Sequence, residues 1–257
     1  MRYYATASGP KVRDAMRAGL LGQIVTPAAG NRLLLGVDWC ADNAVFANHY
    51  PGDDAYLAWL DSRSWAAHRC AFAVAPDVVG DAAATLRRSA PMLPRLRNAG
   101  YPAALVAQNG LEHLPVPWDE FDVLFLGGDT DWKLGQHARR LTADAKARGK
   151  WVHMGRVNSR RRLQIAAHMG CDSADGTYLA HAPDQNLTRL LDWLNELSDQ
   201  LALFDPIDLP EHPPPDTQLA ADSTTIRPAR SSTATPQLPR WSTPLIPANP
   251  TRPRHRR

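Results

Sequence analysis

The chain has 257 residues, 44% of them hydrophobic, and a formal net charge of +3 at pH 7. This length lies within the range of a single α/β barrel, and the hydrophobic content is sufficient for a large core. The three cysteines are scattered, which argues against a disulfide framework and excludes a cysteine-rich zinc knuckle.

Strand-like and helical segments alternate along the first half of the chain. Apolar runs predict strands at residues 2–7, 23–26, 32–36, 36–43 and 70–75. Amphipathic segments predict helices at residues 11–21, 53–63 and 81–98, the last bent or restarted around Pro91 and Pro94. Polar residues end two of these strands, at Asp42 and at Asp77.

The alternation continues in the second half. We predict strands at residues 103–107, 121–126 and 151–155, with helices at 133–148 and 160–169 and a last one from Asp184. Asn158 or Ser159 is a candidate N-cap of the helix at 160–169, and Gly170 ends it. A further short strand is then expected to bring both Asp172 and Asp175 to its C-terminal end.

This pattern favours a barrel of parallel strands. The predicted strands are almost entirely apolar, as is typical of parallel strands covered on both faces. Neither Gly-x-Gly-x-x-Gly nor Gly-x-x-x-x-Gly-Lys-Ser/Thr follows the first strand, so a nucleotide-cofactor fold is the weaker choice. We therefore predict an α/β fold, a TIM-like (β/α) barrel, over residues 1–203.

The chain changes in composition at about residue 204. Twelve of the 22 prolines lie in residues 204–257, which end in Arg252-Pro253-Arg254-His255-Arg256-Arg257. Such a segment cannot bury enough apolar surface to offset the entropy of ordering it, so we predict a disordered tail. Its basic end either contacts nucleic acid or only aids solubility, and the sequence favours neither.

Five strand ends carry groups suited to chemistry at the C-terminal face of a barrel. Each alone has an ordinary explanation as a helix cap or a turn. In this order, however, they resemble the tRNA-guanine transglycosylase superfamily, whose enzymes exchange guanine for a 7-deazaguanine on an α/β barrel. The resemblance spans residues 38–177 and rests on Asp42, Asp77, Gln108, the pair Gly127-Gly128, and Asp175.

The resemblance assigns a role to each position. Asp42-Asn43-Ala44-Val45-Phe46 is similar to the family's Asp-Ser-Gly-Gly-Phe/Tyr-Gln turn, which supplies a general acid/base aspartate. Asp77 corresponds to the aspartate that reads the base, and Gln108-Asn109-Gly110 to a Gln-Gly-Gly turn that adds a base contact. We also expect Phe46 to stack on the base.

Two further similarities concern the base edge and the nucleophile. Gly127-Gly128 matches a glycine pair whose backbone groups face the base edge. Met154-Gly155-Arg156-Val157 and the segment 170–176 are similar, at matching spacing, to Met-Gly-Val-Gly and Gly-Val-Asp-x-Phe-Asp-Cys. This resemblance implies that Asp175 is the nucleophile.

Departures from the family pattern affect the expected substrate. The chain lacks the Cys-x-Cys-x-x-Cys…His zinc site and the Pro-Thr-Arg run of the tRNA enzymes, and it has Ala44 where the family prefers glycine. It looks like the shortened branch, found in phages and mobile modification systems, that inserts 7-deazaguanines into DNA. The implied substrates are DNA and a preQ0-like base, with no cofactor and no metal.

The chemistry itself requires two carboxylates. Breaking an N-glycosidic bond by a retaining route needs one carboxylate to trap C1′, here Asp175, and another to move protons, here Asp42. A carboxylate at Asp77 can accept from the N1–H and amino groups of guanine, and Gln108 can address the O6 or N7 side. The target base must leave the stack to reach them.

Four arginines cluster at the start of the helix that precedes the predicted nucleophile. Their cluster at a helix start favours phosphate, and the alternative is an ordinary solvated helix face. Lys133 is a candidate for one more phosphate contact. The predicted nucleic-acid-binding residues are Arg156, Arg160, Arg161, Arg162 and Lys133.

Other interpretations stay open. The substrate could be tRNA, the reaction could be nucleoside or nucleotide N-glycoside hydrolysis, or the barrel could bind nucleic acid without catalysis as a partner subunit. A homodimer or a partner protein is equally compatible with the sequence. His153 and His181 could form a metal site with Asp172, although a structural role is the more common one for such histidines.

The sequence also predicts where the protein is found. Residues 1–6 predict a strand rather than a signal peptide, and no apolar run approaches the roughly 18 residues of a membrane span. We therefore expect a soluble cytoplasmic protein, in the host cytoplasm if it is phage-encoded.

Overall fold

A closed barrel of eight parallel strands, in sequence order, is the centre of the molecule. The computed structural model describes residues 1–30 and 32–203, so the predicted tail at 204–257 lies outside the described residues. The predicted TIM-like barrel is confirmed. The strands are β1 Arg2–Ala5, β2 Gly22–Val25, β3 Trp39–Ala41, β4 Cys70–Val74, β5 Ala103–Ala107, β6 Val123–Leu126, β7 Trp151–Met154 and β8 Ser173–Asp175.

α-Helices follow six of the eight strands, all except β2 and β5, and cover the barrel. Local signals explain their ends: the Asp81 carboxylate accepts from the N–H of Ala84, the Ser159 hydroxyl caps the helix before β8, and Pro91 separates two consecutive helices. No helix in the described part of the chain is both long enough and apolar enough to cross a membrane. The helices are α1 Pro10–Arg17, α2 Asp53–Asp61, α3 Ala82–Ser89, α4 Met92–Asn98, α5 Thr130–Leu134, α6 Gln136–Ala147, α7 Arg160–His168 and α8 Pro183–Leu203.

The core has two layers because successive strand side chains point to opposite faces. Tyr4, Phe72, Val106 and Phe125 belong to the cluster inside the barrel. Their strand neighbours pack outwards against the helices. The same alternation decides which side chains at the strand ends face the mouth of the barrel.

One apolar run, residues 32–36, does not form the predicted strand. The Gln23 amide donates to the carbonyl of Arg32 at 3.0 Å and accepts from the N–H of Leu34 at 2.9 Å. The Gln23 side chain therefore occupies the backbone carbonyl and N–H groups through which this run would pair with a neighbouring strand. Leu35, within the run, is 79% exposed. The predicted helix at 133–148 is also divided, at Gly135.

Asp172 lies at the opposite end of the barrel from Asp175. It precedes the first residue of β8, where its carboxylate pairs with Lys146 Nζ at 2.6 Å and accepts from the N–H of Val152 at 2.8 Å. The expectation that both aspartates reach the C-terminal end was therefore wrong. The strand is only three residues long, and it brings Asp175 alone to that end.

Candidate active site

A cavity of about 350 Å³ opens at the C-terminal end of the barrel, and residues from or just after all eight strands line it. This volume lies at the lower end of the range of small-molecule sites. The predicted residues Asp42, Asp77, Gln108 and Asp175 are brought together here. Three more predicted residues also line the cavity, namely Phe46, Gly127 and Arg156.

Asp42 is held by a tight turn directly after β3. Its Oδ1 accepts from the N–H of Ala44 at 2.6 Å, and Asn43 Oδ1 accepts from the N–H of Val45 at 2.8 Å. Burial raises the pKa of Asp42 to about 6, with the charges of Asp175 and Asp77 adding to it and the Ala44 hydrogen bond opposing it. This carboxyl can therefore exchange a proton near neutral pH.

Asp77 and Gln108 form a hydrogen-bonded pair on the neighbouring wall. Gln108 Nε2 donates to Asp77 Oδ2 at 2.7 Å, and Asn43 Nδ2 donates to Asp77 Oδ1 at 3.0 Å. The N–H of Gly80 donates to Gln108 Oε1 at 3.0 Å, which fixes the orientation of the amide. Burial raises the pKa of Asp77, and the two amide hydrogen bonds oppose that rise. The pair presents a fixed arrangement of acceptors and donors to the cavity.

Asp175, at the end of β8, is held by one donor on each carboxylate oxygen. The Nε2 atom of His153 lies 2.9 Å from Oδ2, and the N–H of Arg156 donates to Oδ1 at 3.1 Å. The next residue is Gly176, where an added Cβ would lie 2.2 Å from Asn158 Oδ1. Only glycine fits at this position, because the backbone after Asp175 packs closely against the loop between β7 and α7.

Arg156 points into the mouth of the barrel. It has a φ of 59°, in the left-handed region. Its Nη2 donates to the carbonyls of Gly127 at 2.8 Å and Gly128 at 2.5 Å, and its guanidinium lies 4.6 Å from the centre of the Phe46 ring. In this conformation Arg156 and Phe46 form part of the cavity rim, and the phosphate contact predicted for Arg156 would require the side chain to turn outwards.

The two glycines of the Gly127-Gly128 pair differ in position. Gly127 lines the cavity, whereas Gly128 lies outside its lining. Both N–H groups donate to the carbonyl of Ala107, at 2.9 Å and 3.1 Å. Both backbone donors of the pair are therefore already bonded to Ala107, and a contact from the backbone groups of Gly127 or Gly128 to a base stays a prediction.

Lys133 is buried rather than exposed. None of its surface is accessible, and its Nζ donates to the carbonyl of Gly155 at 2.6 Å. Burial lowers the pKa of Lys133 to about 8, and the nearby positive charge of Arg156 adds to this. The predicted phosphate contact does not match this place in the fold. Lys133 instead supports the loop between β7 and α7.

The three arginines at the start of α7 have different surroundings. Arg160 pairs with Glu196 of α8 at 2.7 Å. Arg162 is half-buried, with Nη1 3.3 Å from the carbonyl of Arg156. Arg161 is exposed to solvent. A phosphate contact stays a prediction for all three.

Two residues of the site have contacts that the sequence did not predict. Asn43 is buried and holds Asp77, and its sequence signal is only that it follows Asp42 at a strand end. His153 is buried beneath Asp175. Its signal is a titratable residue in the middle of an otherwise apolar strand, which is equally typical of a structural histidine.

Comparisons with known proteins do not identify the function of this site. No protein-family model and no curated protein matches the chain. Among solved structures, it is similar to the YkuI protein of Bacillus subtilis, which has an EAL domain and was solved with c-di-GMP and calcium, at 14% identity over 77% of this chain and 52% of that one, with a TM-score of 0.36. It is also similar to a Silicibacter pomeroyi protein named as a glycerophosphoryl diester phosphodiesterase, at 14% identity over 71% of this chain and 55% of that one, with a TM-score of 0.33. The chain spans about half the length of these two structures, and the resemblance concerns the fold alone.

Proposed function

We propose that this protein is a base-exchange transglycosylase that replaces guanine in DNA by a 7-deazaguanine of the preQ0 type. The observation that carries the proposal is the meeting of Asp42, Asp175 and the Asp77–Gln108 pair in one cavity. DNA is favoured over tRNA because the chain resembles the shorter branch of the superfamily and has only three scattered cysteines.

The first step forms a covalent intermediate. A carboxylate oxygen of Asp175 bonds to C1′ of the target nucleotide while the C1′–N9 bond breaks and its electron pair goes to N9 of guanine. Asp42 donates a proton to the departing base, so guanine leaves as a neutral molecule. This is the division of roles in retaining glycosidases, and the raised pKa of Asp42 suits it to the proton-transfer role.

The second step reverses these events with a different base. The incoming 7-deazaguanine gives its N9 proton to Asp42, and its N9 electron pair bonds to C1′ as the bond from C1′ to Asp175 breaks. Asp175 returns to a carboxylate and Asp42 is protonated again. The cycle therefore consumes no water and needs no cofactor.

Asp77 and Gln108, on the neighbouring wall of the cavity, recognise the base. The Asp77 carboxylate accepts from the N1–H and amino groups of guanine or a 7-deazaguanine, which adenine cannot offer in that arrangement. Gln108 addresses the O6 side, and Phe46, which is 63% exposed at the rim, stacks on the base. The flipped nucleotide enters from the open end of the barrel.

The test is an exchange assay on the full chain. The protein is incubated with DNA and preQ0, the DNA is digested to nucleosides, and the nucleoside masses are measured by mass spectrometry. We expect a deazaguanosine mass that is lost in Asp175→Asn and in Asp42→Ala. The matched control is Asp172→Asn, which should retain exchange because Asp172 lies at the opposite end of the barrel, paired with Lys146.

Three outcomes would change the proposal. Modified nucleosides in tRNA but not in DNA would assign the other nucleic acid. Release of free guanine without incorporation would assign hydrolysis. Full exchange by Asp175→Asn would remove Asp175 from the role of nucleophile.

A further inference from the structure

His153 is a buried titratable residue that the exchange chemistry does not use. It lies on β7 inside the barrel with no exposed surface, its ring centre 4.6 Å from that of Phe125 and 4.9 Å from that of Phe72. Ring nitrogens enclosed by aromatic side chains need hydrogen-bond partners within the protein. They have two, since Nε2 lies 2.9 Å from Asp175 Oδ2 and Nδ1 lies 2.8 Å from Ser173 Oγ.

The neighbouring groups indicate which nitrogen carries the proton. The Asp175 carboxylate only accepts, so the imidazole proton sits on Nε2 and faces it, and Nδ1 accepts from the Ser173 hydroxyl. Trp151 Nε1, which can only donate, lies 2.8 Å from Ser173 Oγ and occupies one acceptor position of that hydroxyl, which supports this orientation of the Ser173 proton. The opposite tautomer would set a nitrogen lone pair against a carboxylate oxygen.

We propose that His153, held in its Nε2–H tautomer by Ser173 and Trp151, is a positioning residue for Asp175. This inference rests on the proposed function. One carboxylate oxygen is held by His153 and the other by the N–H of Arg156, so the carboxylate cannot rotate about its Cβ–Cγ bond. His153 keeps its proton through both steps and aims Asp175 at C1′.

Two substitutions separate the hydrogen bond from packing. His153→Leu removes the donor while filling a similar volume, and His153→Gln keeps an amide donor within reach of Asp175. We expect formation of the covalent protein–DNA adduct to slow about 100-fold in His153→Leu, as when a reacting group is misplaced by about 1 Å, and by no more than about tenfold in His153→Gln. Affinity for free guanine, which Asp77 and Gln108 hold, should not change.

Two further substitutions test the tautomer directly. Trp151→Phe and Ser173→Ala leave His153 in place but remove the donors that fix its proton on Nε2. Each should slow adduct formation, by less than His153→Leu does. These variants decide the question if His153→Leu does not fold, because Trp151 is 40% exposed and Phe retains most of its packing.

The experiment measures single-turnover adduct formation with DNA on denaturing gels, alongside guanine binding by calorimetry. His168→Leu, an exposed histidine on α7, is the control and should behave like the unchanged protein. Equal slowing in His153→Leu and His153→Gln, or unchanged rates in Trp151→Phe and Ser173→Ala, would overturn the positioning role and leave the proposed function intact. An absence of any adduct in the unchanged protein would instead count against the proposed function.

Discussion

Asp42 and Ala44 are joined by a short hydrogen bond in which the strained residue is the donor. The Asp42 carboxylate accepts from the N–H of Ala44 at 2.6 Å, and Ala44 has a φ of 62°. A residue with a Cβ pays about 1–2 kcal/mol in this left-handed region. The turn that aims the proposed acid–base group is therefore strained at Ala44.

Ala44→Gly should stabilise the protein and keep its activity. Relief of the left-handed strain exceeds the added entropy of the unfolded chain, leaving a gain of about 0.5–1 kcal/mol in the free energy of unfolding. Urea denaturation measures it. The control is Ala143→Gly, at an exposed position in the middle of α6, which should lose about 1 kcal/mol. A similar loss in both variants would contradict the strain at Ala44.

Adduct formation should slow as the pH rises. Burial raises the pKa of Asp42 to about 6, and the proposed first step needs its protonated form. Above about pH 7 the protonated fraction, and with it the single-turnover rate, should fall about tenfold per pH unit. Rapid-quench assays across this range measure the slope.

The Asp42→Asn variant provides the matched comparison for that slope. It retains an acceptor for the N–H of Ala44 but cannot donate a carboxyl proton. Its adduct formation should be about 100-fold slower or worse, and it should no longer depend on pH in this range. An identical pH profile in the variant would show that another group supplies the proton.

Asp77→Asn should weaken the binding of guanine. The amide cannot accept from both the N1–H and the amino group, and loss of a hydrogen bond to a charged partner costs about 1.5–3 kcal/mol, or about 10- to 100-fold in affinity. Calorimetry with free guanine measures this loss. Because Asn43 and Gln108 contact the same side chain, a melting curve should accompany the measurement. Unchanged affinity in a folded variant would place the base elsewhere in the cavity.

Arg161→Gln should weaken DNA binding equally for all sequences. Loss of one phosphate contact reduces the slope of log affinity against log salt concentration by about 0.9. Fluorescence anisotropy at several salt concentrations measures it. Arg17→Gln, at the end of α1 and paired with Asp14, is the control and should leave the slope unchanged. Equal slopes for both variants would assign Arg161 to an ordinary solvated helix face.

The barrel could be predicted from the sequence because parallel strands covered on both faces are nearly all apolar. The strand at Ala103–Ala107 has the predicted bounds. The run at residues 32–36 contains three consecutive leucines, yet its backbone bonds to the side chain of Gln23. The Gln23 side chain, nine residues before Arg32, forms hydrogen bonds with backbone groups that a strand partner would otherwise use. The hydrophobicity of residues 32–36 does not predict these hydrogen bonds.

The meeting of the strand-end residues could also be predicted, since the carboxyl ends of parallel strands collect on one face. The directions of long side chains could not. Lys133 turns inwards to the carbonyl of Gly155, and Arg156 turns onto the glycine pair. The contact between His153 and Asp175 depends on the register of β7 against β8, which composition and periodicity do not specify.

Ring closure joins the first strand to the last, because Tyr4 of β1 lies in register with Asp175 of β8. A nascent chain that ends before β8 carries Asp42, Asp77 and Gln108 but lacks Asp175. Synthesis must therefore reach nearly the end of the barrel before these four side chains can line one cavity.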